Sequence, residues 1–268
     1  IYVAPPDRHL LVDRKVVRVV RGPRENRNRP AVDPLFRTAA FSYGPRVVGV
    51  VLTGALDDGT AGLQAIKRRG GVAVVQDPHD AQIPSMPESA LRYVQVDHTL
   101  PLSDIPPLLV RLTREPAPDE ARFPVPHDME IEANIAKLDE ATMDAEERPG
   151  TISVFTCPEC NGPLWEMRDG DLLRFRCRVG HAFTPESMLD GKAEQVEEAL
   201  WTAYETLRES ALMTRRLMGV AQTRGLQHVA ARRQARAREQ QRRADLVLSV
   251  LRNGSDEVSE EISAAGAE

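Results

Sequence analysis

The segment that decides the fold is Val50-Val51-Leu52-Thr53-Gly54-Ala55-Leu56-Asp57-Asp58-Gly59-Thr60-Ala61-Gly62-Leu63. Its apolar, β-branched beginning predicts a buried strand, and its glycines predict a turn. An amphipathic helix is expected to begin at Thr60. Asp57 and Asp58 therefore lie at the carboxyl end of a strand, which is where open α/β sheets build their sites.

Residues 1–115 continue this alternation of strand and helix patterns. Strands are predicted at Tyr2–Ala4, at 10–11 paired with Val16–Val20 as a hairpin, at Val47–Leu52 and at Val72–Gln76. Helices are predicted at 33–41 with Asp33 as a possible cap, at Thr60–Arg69, at Pro87–Arg92 and at Ser103–Arg114. The expected fold is α/β, with a doubly wound, mostly parallel sheet. Because the chain opens directly on an expected strand, we expect this sheet to be incomplete at its N-terminus.

Two interpretations of Asp57 and Asp58 follow from the residues alone. A carboxylate directly before a helix commonly caps the free N–H groups of that helix. Alternatively, an acid at a strand end orients a catalytic base. The local sequence does not choose between these roles.

Composition excludes several classes of protein. The chain has 268 residues and a net charge of −5, so bulk electrostatics do not favour nucleic-acid binding. It has no apolar run near the ~20 residues that cross a bilayer and no signal-peptide pattern, so no membrane insertion and a cytoplasmic location are expected. The three cysteines are an odd number and lie close together, which favours a metal site in a reducing compartment over disulfides.

The remaining chain divides by composition. An acidic, proline-bounded linker is predicted at 116–150, with a transient helix near Ile131–Met143. A metal-binding β-hairpin module follows at 151–183, then a helical segment at 184–252 and a disordered tail at 253–268. One buried helical stripe is expected to contain Val196, Leu200, Ala203, Leu207, Ala211, Thr214, Leu217 and Ala221. The arginine-rich part of the helical segment is interpreted as a solvated face or as a surface for an acidic protein partner.

Four residues of the 151–183 module have the spacing of a zinc site: Cys157, Cys160, Cys177 and His181. A Cys-x-x-Cys pair and a Cys-x-x-x-His pair together supply the four ligands of tetrahedral zinc. The segment between the pairs predicts a hairpin that turns at Asp169-Gly170. Because all four positions would be filled by protein, a structural zinc is favoured over a catalytic one. The alternative is a set of free buried thiols.

Four co-linear blocks within residues 1–113 resemble the catalytic domain of the chemoreceptor protein-glutamate methylesterases, the CheB type. These blocks are Tyr2–His9, Asn26–Asp33, Val51–Gly59 and Ser85–Ala90. The resemblance implies hydrolysis of glutamate γ-methyl esters on the cytoplasmic helices of methylated chemoreceptors, giving glutamate and methanol in chemotaxis signalling. It also implies a Ser-His-Asp triad whose acid matches Asp58. The family often has Met where Ala55 stands, in the turn associated with the oxyanion site.

The serine and histidine of that triad precede the Tyr2–His9 block in the family, and the chain has no Gly-x-Ser-x-Gly pattern. His9, His79 and His98 do not fall at the family's histidine position, and His9 is predicted to be a loop or surface residue. We therefore expect an N-terminally truncated hydrolase that keeps Asp58 and is inactive as this fragment. A receiver domain usually precedes this domain in the family, and these residues show none. The alternative function is a non-catalytic signalling adaptor that binds partners through the zinc-helix module.

Overall fold

A computed structural model describes residues 1–265, with side chains for 1–252. The chain divides into two compact units, Ile1–Gly191 and a second unit that begins at Lys192. The strands of the first unit are β1 (His9–Asp13), β2 (Val16–Val20), β3 (Val48–Val51), β4 (Val72–Gln76), β5 (His98–Leu100), β6 (Thr151–Thr156), β7 (Pro163–Asp169), β8 (Leu172–Cys177) and β9 (Ala182–Phe183). Its helices are α1 (Val32–Tyr43), α2 (Thr60–Arg68), α3 (Ser85–Tyr93), α4 (Ile105–Leu112), α5 (His127–Ala136), α6 (Glu140–Asp144) and the beginning of α7 (Pro185–Thr223).

The centre of the first unit is a parallel sheet in the order β3-β4-β5. Alternate valines point to opposite faces of it because side chains alternate along a strand. Val51 and Val75 pack in the core formed with α1, α2 and α3, whereas Val74 packs with Ile105 and Leu108 of α4. Helices therefore cover both faces of a parallel sheet, as the strand–helix alternation predicts.

The structure corrects the prediction at the start of the chain. Tyr2–Ala4 forms no strand, and Tyr2 and Val3 are exposed. Two prolines follow, which cannot donate the hydrogen bonds of a ladder. The predicted hairpin is present: β1 and β2 pair antiparallel from His9↔Val20 to Asp13↔Val16.

The acidic segment 116–150 is a folded part of the first unit, although composition predicts a linker. It forms a short 3-10 helix at Glu120–Arg122 and the helices α5 and α6. Met129 and Ile135 of α5 are buried, and so is Glu132. Arginines that lie more than 40 residues further along the chain make this possible by pairing with Glu132.

The predicted metal module is an antiparallel sheet in the order β6-β7-β8-β9. β7 and β8 form its hairpin, with Gly170 at φ 62° in the turn. This sheet belongs to the same compact unit as the α/β part. A buried ion network joins the two: Arg174 and Arg176 of β8 contact Glu132 of α5, and Arg176 also contacts Glu25.

The second unit is a helical hairpin formed by α7 and α8 (Gln227–Ala265). Alanines fill the contact between the helices: Ala211, Ala221, Ala230, Ala237 and Ala244 are all buried. Those on α8 recur every seven residues, which is the spacing of a helix-pairing seam. Val196 and Leu217 are exposed, so the predicted stripe is wrong at these two positions.

A disordered tail is predicted at 253–268, but α8 extends to Ala265. The rest of the predicted tail, 266–268, lies outside the described residues. Among the described helices, none combines the length and hydropathy needed to span a bilayer.

Candidate active site and metal centre

The turn after β3 is held tightly against the start of α3. Gly54 N donates to Ile83 O (3.0 Å), and Met86 N donates to Gly54 O (3.0 Å). A Cβ at Gly54 would lie 2.1 Å from Met86 Sδ, so a larger residue here would have to displace the Met86 side chain. The turn then places Asp57 and Asp58 at the carboxyl end of β3, where both side chains are buried.

Asp58 caps a helix, but not the one that follows it in sequence. Its Oδ2 accepts from Val32 N (2.7 Å) and its Oδ1 from Asp33 N (3.2 Å), which are the first N–H groups of α1. Asp33 in turn accepts from Gly62 N (2.6 Å) in the first turn of α2. The capping interpretation is therefore right in kind, whereas the predicted partners of Asp33 and Asp58 are wrong.

The exchange of caps requires a close approach of the two helices. A Cβ at Gly62 would lie 2.6 Å from Phe36 Cβ and 3.0 Å from Asp33 O. Glycine at this position therefore lets the backbone of α2 reach the Asp33 carboxylate. Gly59, at φ 93°, makes the turn into α2 directly after Asp58.

Asn26 connects the two carboxylates. Its Nδ2 donates to Asp33 Oδ2 (2.8 Å) and to Asp58 Oδ1 (3.2 Å), and the residue is buried. Its backbone lies at φ 49°, in the left-handed region that Asn tolerates better than most residues. Sequence reasoning missed this role. The one available signal was that Asn26 opens a family-like block.

Burial dominates the electrostatics of the carboxylates. Burial, together with the neighbouring Asp33 carboxyl, raises the pKa of Asp58 to about 7. Burial also raises the pKa of Asp33. Burial likewise raises the pKa of Asp57 to about 6. Asp57 Oδ1 has no hydrogen-bond partner among the described residues. This group of acids is therefore suited to share a proton with, or to pair with, an incoming base.

A cavity of about 220 Å³ opens beside Asp57. Its walls come from the turn after β3, from α3 and from the start of α7: Leu56, Asp57, Ser85, Glu88, Ser89, Arg92 and Glu186. The cavity lies where substrates bind in open α/β sheets, outside the carboxyl end of a strand.

The structure excludes His9 as a mobile base. It is buried in β1, not on the surface as predicted. Its Nε2 donates to Pro23 O (2.8 Å), and its Nδ1 accepts from Ala31 N (3.3 Å), so both ring nitrogens are occupied. Burial lowers its pKa, which is consistent with a neutral core histidine.

The four predicted metal ligands converge. The ligand atoms of Cys157, Cys160, Cys177 and His181 all lie within 4.8 Å of one another. His181 Nδ1 is 3.7 Å from Cys157 Sγ and 3.5 Å from Cys177 Sγ, and Cys160 Sγ is 3.7 Å from Cys177 Sγ. A zinc tetrahedron with bonds of ~2.0–2.3 Å has edges of about 3.6–3.8 Å. The donor set and these three separations therefore fit a tetrahedral metal ion.

Backbone N–H groups complete this centre. Those of Glu159 and Cys160 donate to Cys157 Sγ, and those of Gly162 and Gly180 donate to Cys160 and Cys177. Such donors stabilise thiolates and orient them toward a metal ion. The first cysteine pair lies on a tight turn, since Asn161 N donates to Cys157 O (2.8 Å).

Comparison with known proteins identifies relatives of the first two fifths of the chain. Residues 1–109 match the family model described as CheB methylesterase. This segment is a CheB-type methylesterase domain. The match includes Asn26, Asp33, Asp57 and Asp58, and it ends before the residues of the metal centre.

Relatives of the CheB-type domain are named protein-glutamate methylesterase/protein-glutamine glutaminase. One from Leptospira interrogans is 48% identical over 113 residues, which is 42% of this chain and 58% of the relative. One from Anaeromyxobacter dehalogenans is 41% identical over 119 residues, 43% of this chain and 33% of the relative. The Thermotoga maritima CheB methylesterase catalytic domain shares 32% identity at a TM-score of 0.40, covering 41% of this chain and 61% of that one. The chain thus spans between a third and three fifths of the length of these proteins.

Proposed function

We propose that the protein is a protein-glutamate methylesterase that acts on methylated chemoreceptors in chemotaxis signalling, with Asp58 as the acid of a Ser-His-Asp triad. The observation that carries the proposal is the position of Asp58: it is buried at the carboxyl end of β3, within the segment that matches the family. Because the 268 residues contain no Gly-x-Ser-x-Gly turn, we expect this chain by itself to lack the activity.

Asp58 is suited to orient a base and not to act as one. Backbone and amide donors hold both of its oxygens, so its carboxylate is fixed in direction. In the proposed reaction Asp58 holds a histidine in the correct tautomer, and that histidine takes the proton from a serine Oγ. The Oγ–acyl bond forms as the C–OCH3 bond breaks, and the proton leaves with methanol. Water then hydrolyses the acyl-enzyme and leaves the receptor glutamate.

The experiment uses a full-length protein that contains this chain. Methanol release from a methylated receptor is measured for Asp58→Asn and for the control Asp104→Asn on the exposed 3-10 turn before α4. We expect Asp58→Asn to lower kcat by about 10⁴-fold, as loss of the orienting acid does in other triads. The control should keep wild-type activity. Wild-type activity in Asp58→Asn would refute the catalytic role.

We also propose that Cys157, Cys160, Cys177 and His181 hold a structural zinc ion. Three thiolates and an imidazole are a donor set typical of structural zinc. With four protein ligands the site has no open position for a substrate, so the ion would stabilise the β6–β9 sheet without taking part in hydrolysis.

A non-catalytic adaptor is the second candidate, because the α7–α8 hairpin presents apolar side chains to solvent. Trp201 and Leu246 are exposed on it, so it could bind a protein partner. Its arginines do not suggest nucleic acid: Arg242 and Arg243 pair with Glu239 on the same helix. A cytoplasmic location and contact with receptor helices remain part of the methylesterase proposal. An adaptor would show no methanol release above background in the full-length protein.

A further inference from the structure

Asn26 lies between the acid site and the metal-binding sheet. On one side its amide donates to Asp33 and Asp58. On the other side its backbone N donates to Ala182 O in β9 (2.8 Å), and Ala182 N donates to Arg24 O (3.3 Å). Ala182 directly follows His181, one of the four candidate metal ligands. The residue that binds the backbone of Asn26 is thus the direct chain neighbour of a candidate metal ligand.

The start of α7 contacts the same amide. Ser187 Oγ lies 3.4 Å from Asn26 Oδ1 and 3.3 Å from Thr184 O, so its one proton can go to either acceptor. The Asn26 oxygen thus faces α7, while the two N–H groups of the amide are directed at the carboxylates. Ser187 is itself fixed by Thr184: Ser187 N donates to Thr184 Oγ1 (3.2 Å), and Thr184 N donates to Ser187 Oγ (3.0 Å). This reciprocal pair determines where the Ser187 hydroxyl lies relative to Asn26.

Glu25 anchors the chain next to Asn26. It is buried, and it accepts from both guanidinium nitrogens of Arg37 in α1 (3.0 and 2.9 Å) and from Arg176 in β8 (3.1 Å). Burial alone would raise the pKa of Glu25, but Arg176 and Arg37 lower it to about 2. The backbone at Asn26 is therefore tied to α1 and to the metal-binding sheet by charge-assisted hydrogen bonds.

We propose that Asn26 is a positioning residue for Asp58 and that the metal-binding sheet holds Asn26 in place. An amide suits this position because its two N–H groups serve two carboxylates at once without neutralising either. A cationic side chain would instead neutralise the acid that is to pair with the base. The positioning role rests on the proposed function of Asp58, whereas the hydrogen bonds of Asn26 to the two carboxylates can be tested on this chain alone.

The first test follows the Asp58 carboxyl by carbon NMR against pH in the metal-loaded chain. Asn26→Ala removes a donor to the charged carboxylate, so the pKa of Asp58 should rise by about one unit. Asp33 faces Asp58 from α1, and Asp57 is its neighbour in the chain. Arg37 and Glu25 act electrostatically on Asp33, and Glu186 acts on Asp57. All of these groups remain in the variant.

Asn28→Ala is the matched control. Its amide donates to Asn26 O (2.9 Å) in the same segment, so it tests local loosening without removal of the carboxylate donor. An unchanged pKa of Asp58 in Asn26→Ala, or an equal rise in both variants, would overturn the proposal. If Asn26→Ala does not fold, Ser187→Ala replaces it, because it removes the contact to Asn26 Oδ1 and the bonds to Thr184 but keeps the Asn26 amide. A smaller rise is then expected, and no rise counts against the proposal.

The second test removes the metal with a chelator and measures amide hydrogen exchange. Exchange at Asn26 N should accelerate at least about tenfold, while Val74 in the central strand β4 stays protected. Unchanged protection at Asn26 would refute the part of the proposal that assigns the sheet a holding role. The function test remains separate: full activity of Asp58→Asn in the full-length protein would remove the catalytic role and leave these two results intact.

Discussion

Asp58 precedes α2 but caps α1, and Asp33 lies in the first turn of α1 but caps α2. Each carboxylate accepts from N–H groups at the start of the other helix, which that helix cannot satisfy internally. The exchange fixes the start of one helix against the start of the other. It also holds the candidate catalytic acid in place through the fold, independently of any substrate.

The cap exchange predicts a specific stability cost. Asp33→Ala should lower the free energy of unfolding by about 1–2 kcal/mol, because Gly62 N loses its acceptor. Chemical denaturation measures this change. Asp104→Ala is the control, since Asp104 precedes α4 without a side-chain capping bond and should change stability by less than about 0.5 kcal/mol. Equal costs for the two variants would contradict the exchange.

Asp57 predicts the direction of a pH dependence. Its pKa is about 6 in the folded chain and ~3.9 in an unfolded one. The folded state therefore binds the proton more tightly, and the stability this gives is present below about pH 4 and lost as pH rises through 6. In Asp57→Asn that loss disappears, so the decline in unfolding free energy between pH 4.5 and 7 should be smaller by about 2 kcal/mol. Denaturation at several pH values measures it. A curve parallel to wild type would contradict the prediction.

The buried ion network predicts a large effect of a single arginine. Arg176→Met removes one of the two arginines that contact both Glu25 and Glu132, the other being Arg37, and it should cost about 3–5 kcal/mol. Arg168→Met is the control: this arginine pairs with Glu166 on an exposed face and should cost less than about 1 kcal/mol. Denaturation midpoints compare the two. A cost below about 1 kcal/mol for Arg176→Met would show that the network does not join the metal-binding sheet to the α/β part as described.

The metal centre predicts zinc content and a stability effect together. Elemental analysis should find about one zinc per chain. Chelation should then lower the free energy of unfolding by at least about 3 kcal/mol. Cys157→Ser should start from this lower stability and respond little to chelator. Protein prepared without chelators that contains no zinc would refute the site.

The expected pattern of strands and helices is largely present in residues 1–115. β1, β2, β3 and β4 and the helices α1 to α4 lie within a few residues of their predicted positions. The four candidate metal ligands also come together as their spacing predicts. These features follow from periodicity and from ligand spacing, which are local properties of the chain.

Other features depend on contacts between distant residues. Glu132 lies in a run of acids that composition assigns to a linker, yet it is buried because Arg174 and Arg176 meet it from β8. His9 is buried because Pro23 and Ala31 occupy both of its ring nitrogens. No pattern around either residue indicates the partner that makes its burial possible.

The sequence by itself determined the elements, the metal-ligand set and the position of Asp58 at the end of a strand, because each is written within a short stretch of residues. Only the tertiary structure decided which helix Asp58 caps, that Asn26 joins Asp58 to Asp33, and that Glu25 meets Arg176. The physical reason is that a buried carboxylate must find its donors wherever the fold brings them. For Glu25 one of those donors lies 151 residues away along the chain.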